Sequence, residues 1–416
     1  MDSKVQKLPQ SASPSNKIIQ PSAREISNLP RRSLLKGVAA ATASLYVSLT
    51  LPTSRTVAAP DAPAATPDAP AATPSAPAAT SDSFTYSLEA AAPVKVAGGG
   101  GNKRGVAPAN IPALKGISLQ SVRINAGALR EVHWHNAPEL NFCVSGQGEF
   151  GIFIPGTTAA SIFTIVPGSI TFVPIGAPHY VRNTGSGVLH QIAGFSDESP
   201  KTFDLSNTLS LIPHDLLAQN VKLPAQSLPA FQQQSGLGMI PIEKVSLPQA
   251  SATSPFTANI HNITPKNFEG GFTVPLTSQD ISALNGIGFS YLQGKPGSLR
   301  EPHWHPNAAE LTYIIQGSAQ GAIIASDKVH QTFTAQSGDV SFVPTNWLHY
   351  LNITSNDPLI MLAFFSNSSP TRIDFSQMME NFPRPLLAAS LGPNLEIFQK
   401  VPELSGDLFL ISKNIV

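Results

Sequence analysis

From about residue 84 onward, large apolar side chains recur at every second position over short runs. Phe150, Ile152 and Ile154 form one such run, and Ile170 and Phe172 form another that ends in a Val-Pro turn. A period of two is the spacing at which a strand presents one face to a core. Such runs return roughly every ten residues, divided by clusters of Gly, Pro, Asn and Ser. That rhythm predicts an all-β chain of short strands folded as a sandwich or barrel. Helical periodicity shows in two places, about Leu205 to Leu217 and Phe375 to Leu387. It predicts a short helical hairpin packed outside each β unit.

The β pattern is written twice. Gly127-Ala-Leu-Arg-Glu-Val-His-Trp-His135 is echoed by Gly297-Ser-Leu-Arg-Glu-Pro-His-Trp-His305. Gly168-Ser-Ile-Thr-Phe-Val-Pro174, leading to His179-Tyr180, is echoed by Gly338-Asp-Val-Ser-Phe-Val-Pro344, leading to His349-Tyr350. The offset is 170 for both blocks, 303 against 133 and 349 against 179. One offset kept across that span predicts a duplicated domain. We divide the chain into residues 84–225 and 226–416, the second with a C-terminal helical extension.

What precedes residue 84 has a different character. Arg31-Arg32-Ser33-Leu34-Leu35-Lys36 is a twin-arginine pattern, followed by an apolar run from about Val38 to Leu51 and a small-residue cleavage site at Val57-Ala58-Ala59. Residues 1–59 therefore read as a twin-arginine export signal, with an uncleaved N-terminal anchor as the alternative. The apolar run is short for a transmembrane helix, so no stable membrane span is expected after cleavage. Export of an already folded protein places the mature chain in the periplasm or the medium and allows a metal to be loaded in the cytoplasm. Residues 60–83 repeat Ala-Pro-Ala-Ala-Thr with almost no large apolar side chains, which predicts a Pro-stiffened tether.

Composition narrows the function. The 26 basic and 26 acidic residues cancel and make up 12% of the chain, so nothing favours a nucleic-acid partner. The single cysteine, Cys143, excludes an intrachain disulfide framework and any multi-thiolate metal site. It reads instead as a small buried hydrophobe on the strand after Glu139.

The histidines carry the chemistry. His133 and His135 are two apart, so on a strand both face one way while Trp134 faces the other. Glu139 follows four residues later, and His179 comes from a later strand. His303, His305, Glu310 and His349 repeat the set. Three neutral imidazoles and one carboxylate leave a divalent ion with a formal charge of about +1 and open positions for an oxygen ligand. Manganese or iron suits this nitrogen and oxygen set, whereas zinc more often takes a tetrahedral site.

These motifs resemble those of bicupins, and most closely the bacterial oxalate decarboxylase group. The resemblance covers roughly residues 100–400 and extends to the unequal glutamate spacing, four after His135 and five after His305. It implies two tandem cupin β-barrels of jelly-roll type with short flanking helices. It implies two manganese sites, with Arg130 and Arg300 holding the substrate carboxylate, and dioxygen as a further cofactor. Oxalate would be decarboxylated to formate and carbon dioxide. Oxalate oxidation to carbon dioxide and peroxide, germin-like superoxide dismutation and a non-catalytic metal-binding bicupin are the alternatives. A homo-oligomer is also implied.

In that group an essential glutamate sits on a lid after the last strand of the first cupin. The corresponding stretch, Phe195 to Phe203, is shorter and offers Asp197 or Glu198 as the acid. The matching stretch Phe365 to Thr371 has no carboxylate, and Ala363 stands where the family has a further buried glutamate. His190 has no counterpart, since Ile360 occupies its place, and reads as a satisfied strand residue. Phe172 and Phe342 read as core.

Overall fold

The computed structural model describes residues 83–229, 236–242, 250–251, 254–325, 330–392 and 406–412. The expected export signal and nearly all of the expected Ala/Pro-rich tether lie outside the described residues. Each half of the repeat folds into a pair of antiparallel sheets. In the first half a six-stranded sheet contains Ala128–His135, His179–Asn183, Gly148–Ile152 and Ser161–Ile165 in that order. The short strands Thr202–Asp204 and Met239–Pro241 line the free side of Ala128–His135. A seven-stranded sheet places Glu139–Ser145 and Leu189–Phe195 side by side at its middle. The second half repeats both sheets around Leu299–Trp304, Leu348–Ile353, Glu310–Gln316 and Leu359–Phe365.

The period of two does what it predicts. Burial alternates from Glu131 to His135, so that His133 and His135 point inward and Trp134 outward, where it stacks on Phe203 at 5.8 Å. Gly168 and Gly338, which open the second repeated block, turn the chain at φ of 83° and 89°. A side chain is strained at such angles, so glycine is required there. The predicted helical hairpins are present as Leu205–Leu211 with His214–Val221, and Phe375–Asn381 with Arg384–Leu391. None of the described helices is long and apolar enough to cross a membrane.

The inner faces of the sheets enclose one core per barrel, with Phe150, Phe163 and Leu189 in the first and Ile314, Ile353 and Met361 in the second. The outer faces of the two seven-stranded sheets meet in a third core shared by both barrels. There Phe289 stacks on Phe142 at 5.7 Å and meets Phe364 edge-on at 5.2 Å. Phe172 and Phe342 belong to this core, each 1% exposed.

The sheets do not follow the division at 225/226. Thr85–Ser87 pairs with Asp339–Val343 of the second barrel, and Thr257–Asn259 pairs with Ser169–Val173 of the first. Each repeat lends its leading strand to the other. Met239–Pro241 likewise completes the first barrel's sheet. These exchanged strands cover edges that would otherwise expose unpaired backbone groups. Glu89, just beyond the first of them, takes the Arg123 guanidinium at 2.8 Å and the Tyr313 hydroxyl at 3.2 Å, bridging the barrels. His190 is satisfied there by Ser121 Oγ at 2.9 Å.

Because Phe289 is 2% exposed and touches both barrels, Phe289→Ala should cost about 3–5 kcal/mol of stability in chemical denaturation. A loss below about 1 kcal/mol would mean that the shared core does not hold the barrels together.

Candidate metal centres

The ligand atoms of His133, His135, Glu139 and His179 all lie within 4.8 Å of one another, as do those of His303, His305, Glu310 and His349. All eight residues are buried. The six-stranded sheet of each barrel supplies the imidazoles, except that His305 lies one residue beyond its strand Leu299–Trp304, and the facing seven-stranded sheet supplies the glutamate. Glu139 Oε2 stands 3.3 Å from His135 Nε2 and 3.1 Å from His179 Nε2. Glu310 Oε2 stands 3.0 Å from His305 Nε2 and 3.2 Å from His349 Nε2.

The outer nitrogens explain the inward orientation. His133 Nδ1 donates to the Glu131 carbonyl at 2.7 Å and His179 Nδ1 to the Ala177 carbonyl at 2.9 Å. His303, His305 and His349 donate in the same way to the carbonyls of Glu301, Thr371 and Trp347. A carbonyl only accepts, so in these five rings Nδ1 carries a proton, and Nε2 is the nitrogen that faces inward and, in the neutral ring, offers a lone pair. Thr202 Oγ1 lies 3.2 Å from His135 Nδ1. Glu139 Oε2, His179 Nε2 and His305 Nε2 are buried without a hydrogen-bond partner. Buried polar atoms without partners are costly, and converging lone pairs on nitrogen and oxygen fit a divalent cation.

Protonation states agree with that fit. Burial holds His133 and His303 well below an imidazole's ordinary range, reinforced by neighbouring imidazoles and by Arg130 and Arg300 respectively. Burial also brings His135 down to about 4. Burial alone would raise the Glu139 carboxyl, but His135 and His179 outweigh it and bring it to about 2. Glu310 is likewise held well below the carboxylate range by His305 and His349. Neutral imidazoles and an ionised carboxylate are the forms that bind metal.

Arg130 enters the same chamber by a device that strand alternation does not contain. His133 pairs with His179, yet Arg130 pairs with Val181, so three residues on one strand span two on its neighbour. This β-bulge turns an odd separation into a shared face. Arg300 and His303 show the same shift against Leu351 and His349. Arg130 is ion-paired to Asp204 at 2.6 Å and donates to the Gly238 carbonyl. Arg300 is buried between Asp374, at 3.2 Å, and the Phe409 ring, 3.8 Å from its centroid.

Asp204 and Asp374 were not singled out in the sequence, although they too are 170 apart. Nor were Glu131 and Glu301 of the repeated motif. Their carboxylates accept the amide and hydroxyl of Ser206 and Ser376, docking the first turn of the outer helices.

The first chamber is small, about 40 Å³, and is lined by the four ligands together with Lys103, Gln120, Arg130, Asn141 and Gln191 among others. Asp197 and Glu198 do not line it, contrary to expectation. The turn after Phe195 packs against the start of the strand Ser118–Ile124, where Ser118 Oγ donates to the Asp197 carbonyl, and local bonds use both carboxylates. Glu198 Oε2 accepts the Gly116 amide at 2.8 Å, which holds its carboxyl below the usual value. Asp197 Oδ1 accepts the Ser199 amide at 2.7 Å. The second chamber is wider, about 560 Å³, with Leu292, Met361, Ala363 and Phe409 in its wall. Cys143 lies buried in the first barrel's core, where burial pushes its thiol up to about 12.

The comparisons with known proteins agree with this architecture. The family model described as "Cupin" matches residues 86–226 and again 258–396. Oxalate decarboxylase OxdC of Bacillus subtilis is 28% identical over 304 residues, covering 70% of this chain and 78% of its own length. An oxalate decarboxylase of Arthroderma benhamiae is 23% identical over 331 residues, covering 70% and 76%. A solved structure of Bacillus subtilis oxalate decarboxylase, from work on its Mn(II) centres, superposes with a TM-score of 0.70 at 24% identity. It covers 80% of this chain and 90% of that one, and supports the fold. With two cupin domains in tandem and a complete ligand set in each, the chain belongs to the cupin family as a bicupin of the oxalate decarboxylase group.

Proposed function

We propose that this bicupin is a manganese-dependent enzyme acting on oxalate, which it decarboxylates to formate and carbon dioxide with dioxygen as cofactor. The observation that carries the reading is the pair of buried, complete ligand sets in both barrels of a chain similar to oxalate decarboxylases. Manganese, when bound, supplies a Lewis acid that anchors a carboxylate and a centre that exchanges one electron.

The chain's own residues do the rest. Three imidazoles and one carboxylate hold the ion and leave it positively charged toward the chamber. The Arg130 guanidinium, held in place by its ion pair with Asp204, presents N–H donors where a substrate carboxylate enters. Phe195 packs edge-on to His135 at 4.9 Å and helps keep bulk water from the ligands. A volume of about 40 Å³ gives room for roughly three or four waters, the scale of a six-atom dicarboxylate. In net terms oxalate dianion and one proton become formate and carbon dioxide, so the reaction needs an acid within reach of the reacting carbon.

That requirement favours a second reading. Asp197 and Glu198 are both engaged outside the chamber, which supports oxidation of oxalate to carbon dioxide and peroxide as the alternative outcome. The twin-arginine pattern supports export to the periplasm or the medium, after folding and metal loading.

The direct test is to incubate manganese-loaded protein aerobically with labelled oxalate at mildly acidic pH. Decarboxylation yields formate and carbon dioxide in equal amounts, and oxidation yields peroxide without formate. No consumption of oxalate with both sites filled would overturn the substrate assignment.

The pKa shifts also fix how acid acts on the metal-free protein. His135 is brought from its ordinary 6.5 to about 4 and Glu139 from 4.5 to about 2, so at each site the unfolded chain binds more protons. Stability therefore falls as pH drops from 6.5 through 4, and further from 4.5 to about 2, where Glu139 protonates in the unfolded chain but stays ionised in the folded one. Urea midpoints of metal-free protein should decline steadily on acidification over that span. A midpoint that stays level or rises would contradict the assigned protonation states.

A further inference from the structure

The two chambers are built from equivalent positions but lined by different chemistry. Lys103 pairs with Val122 in the first barrel, and Thr273 pairs with Leu292 at the same register in the second. By the same registers Gln191 corresponds to Met361, Gln120 to Ser290 and Asn141 to Thr312. One wall of the first chamber is therefore three amides and an ammonium. Its counterpart in the second is hydroxyls and a thioether.

The cations differ in the same way. Arg130 is neutralised by Asp204, Arg300 by Asp374, and Arg372 by Asp374 and Asp407. Lys103 lines the first chamber with no carboxylate within ion-pair distance among the described residues. Asn141 is 4% exposed, and its Nδ2 is buried without a hydrogen-bond partner. A cation without an ion-pair partner and an unsatisfied amide lining one buried chamber are costly unless something within it takes up their N–H donors. Both offer N–H donors, and the complement of converging N–H donors is an anionic oxygen.

Charge indicates how many negative charges that anion carries. A divalent ion with Glu139 leaves about one positive charge in the first chamber, and Lys103 adds a second, while Arg130 and Asp204 cancel. A dianion neutralises this set, whereas a monoanion leaves one charge uncompensated. In the second chamber the enclosed arginines and aspartates cancel, and the remaining cation, Lys266, stands exposed at the rim, where water screens it.

We propose that Lys103 and Asn141 form an anion subsite in the first chamber that receives the second carboxylate of a short dicarboxylate dianion, and that the second chamber has no such selectivity. This rests on the oxalate reading and adds the residues that discriminate a dicarboxylate from a monocarboxylate. Lys103 and Asn141 bind substrate, and neither ligates metal.

The test measures binding by calorimetry to the manganese-loaded full chain, with oxalate, malonate, formate and acetate as probes. Lys103→Met should weaken oxalate and malonate by about tenfold or more, the scale of one charge-assisted hydrogen bond, and leave formate and acetate unchanged. Lys103→Arg should recover part of the loss, and Thr273→Val should change nothing. Manganese content and melting temperature are followed in each variant, so that misfolding is separated from lost recognition. Equal loss for mono- and dicarboxylates, or no loss in a folded, manganese-filled Lys103→Met protein, would overturn the subsite. If the wild-type chain binds short dicarboxylates through Lys103 but turns none over, the subsite stands and the reaction assignment fails.

Discussion

The structure depends on one constraint: lone pairs brought together inside a closed barrel need a positive charge at their centre. In each barrel histidine Nε2 atoms and a glutamate oxygen approach to 3.0–3.3 Å in buried positions. The outer nitrogens of the rings are already committed to backbone carbonyls, so rotating a ring to escape would break a second bond. The rest of the barrel serves this arrangement. Pleating directs two histidines inward from one strand, the facing sheet brings the glutamate, and the outer helices dock on Glu131 and Glu301 immediately beside the ligands.

Duplication adds a second layer of constraint. The reciprocal exchange of Thr85–Ser87 and Thr257–Asn259 ties each barrel's edge to the other's sheet, and the Phe142, Phe289 and Phe364 cluster fills the space between them. Equal backbones with unequal linings then allow two metal centres of one ligand type to meet different molecules. Lys103 and Gln191 line the narrow chamber with an ammonium and an amide, while Thr273 and Met361 give the wider one a hydroxyl and a thioether at the same positions. This is how a single ligand set, repeated, can acquire two specificities.

Much of this was legible in the sequence, for identifiable reasons. The identity of the histidine ligands follows from strand periodicity and an offset of 170, and the glutamates follow the second histidine of each block at four and five residues. The helical hairpins at Leu205–Leu211 and Phe375–Asn381 followed from periodicity as well. What stayed hidden depends on long-range pairing. A three-residue strand such as Thr85–Ser87 carries no mark of the barrel it joins. The bulge beside Arg130 is visible only in the register against His179 and Val181. Asp197 and Glu198 looked able to reach inward because sequence does not say which backbone amides will capture them. Lys103 went unnoticed because Gly101–Val106 has no apolar alternation to declare which face its side chains take.

The central claim is that each barrel holds its own metal ion through the four residues named. Elemental analysis of the purified chain, alongside Glu139→Gln and Glu310→Gln, tests it most directly. The account predicts manganese at two ions per chain in the wild type and one in either variant, with both variants folded. A wild-type protein without metal, or variants that keep the full complement, would contradict it.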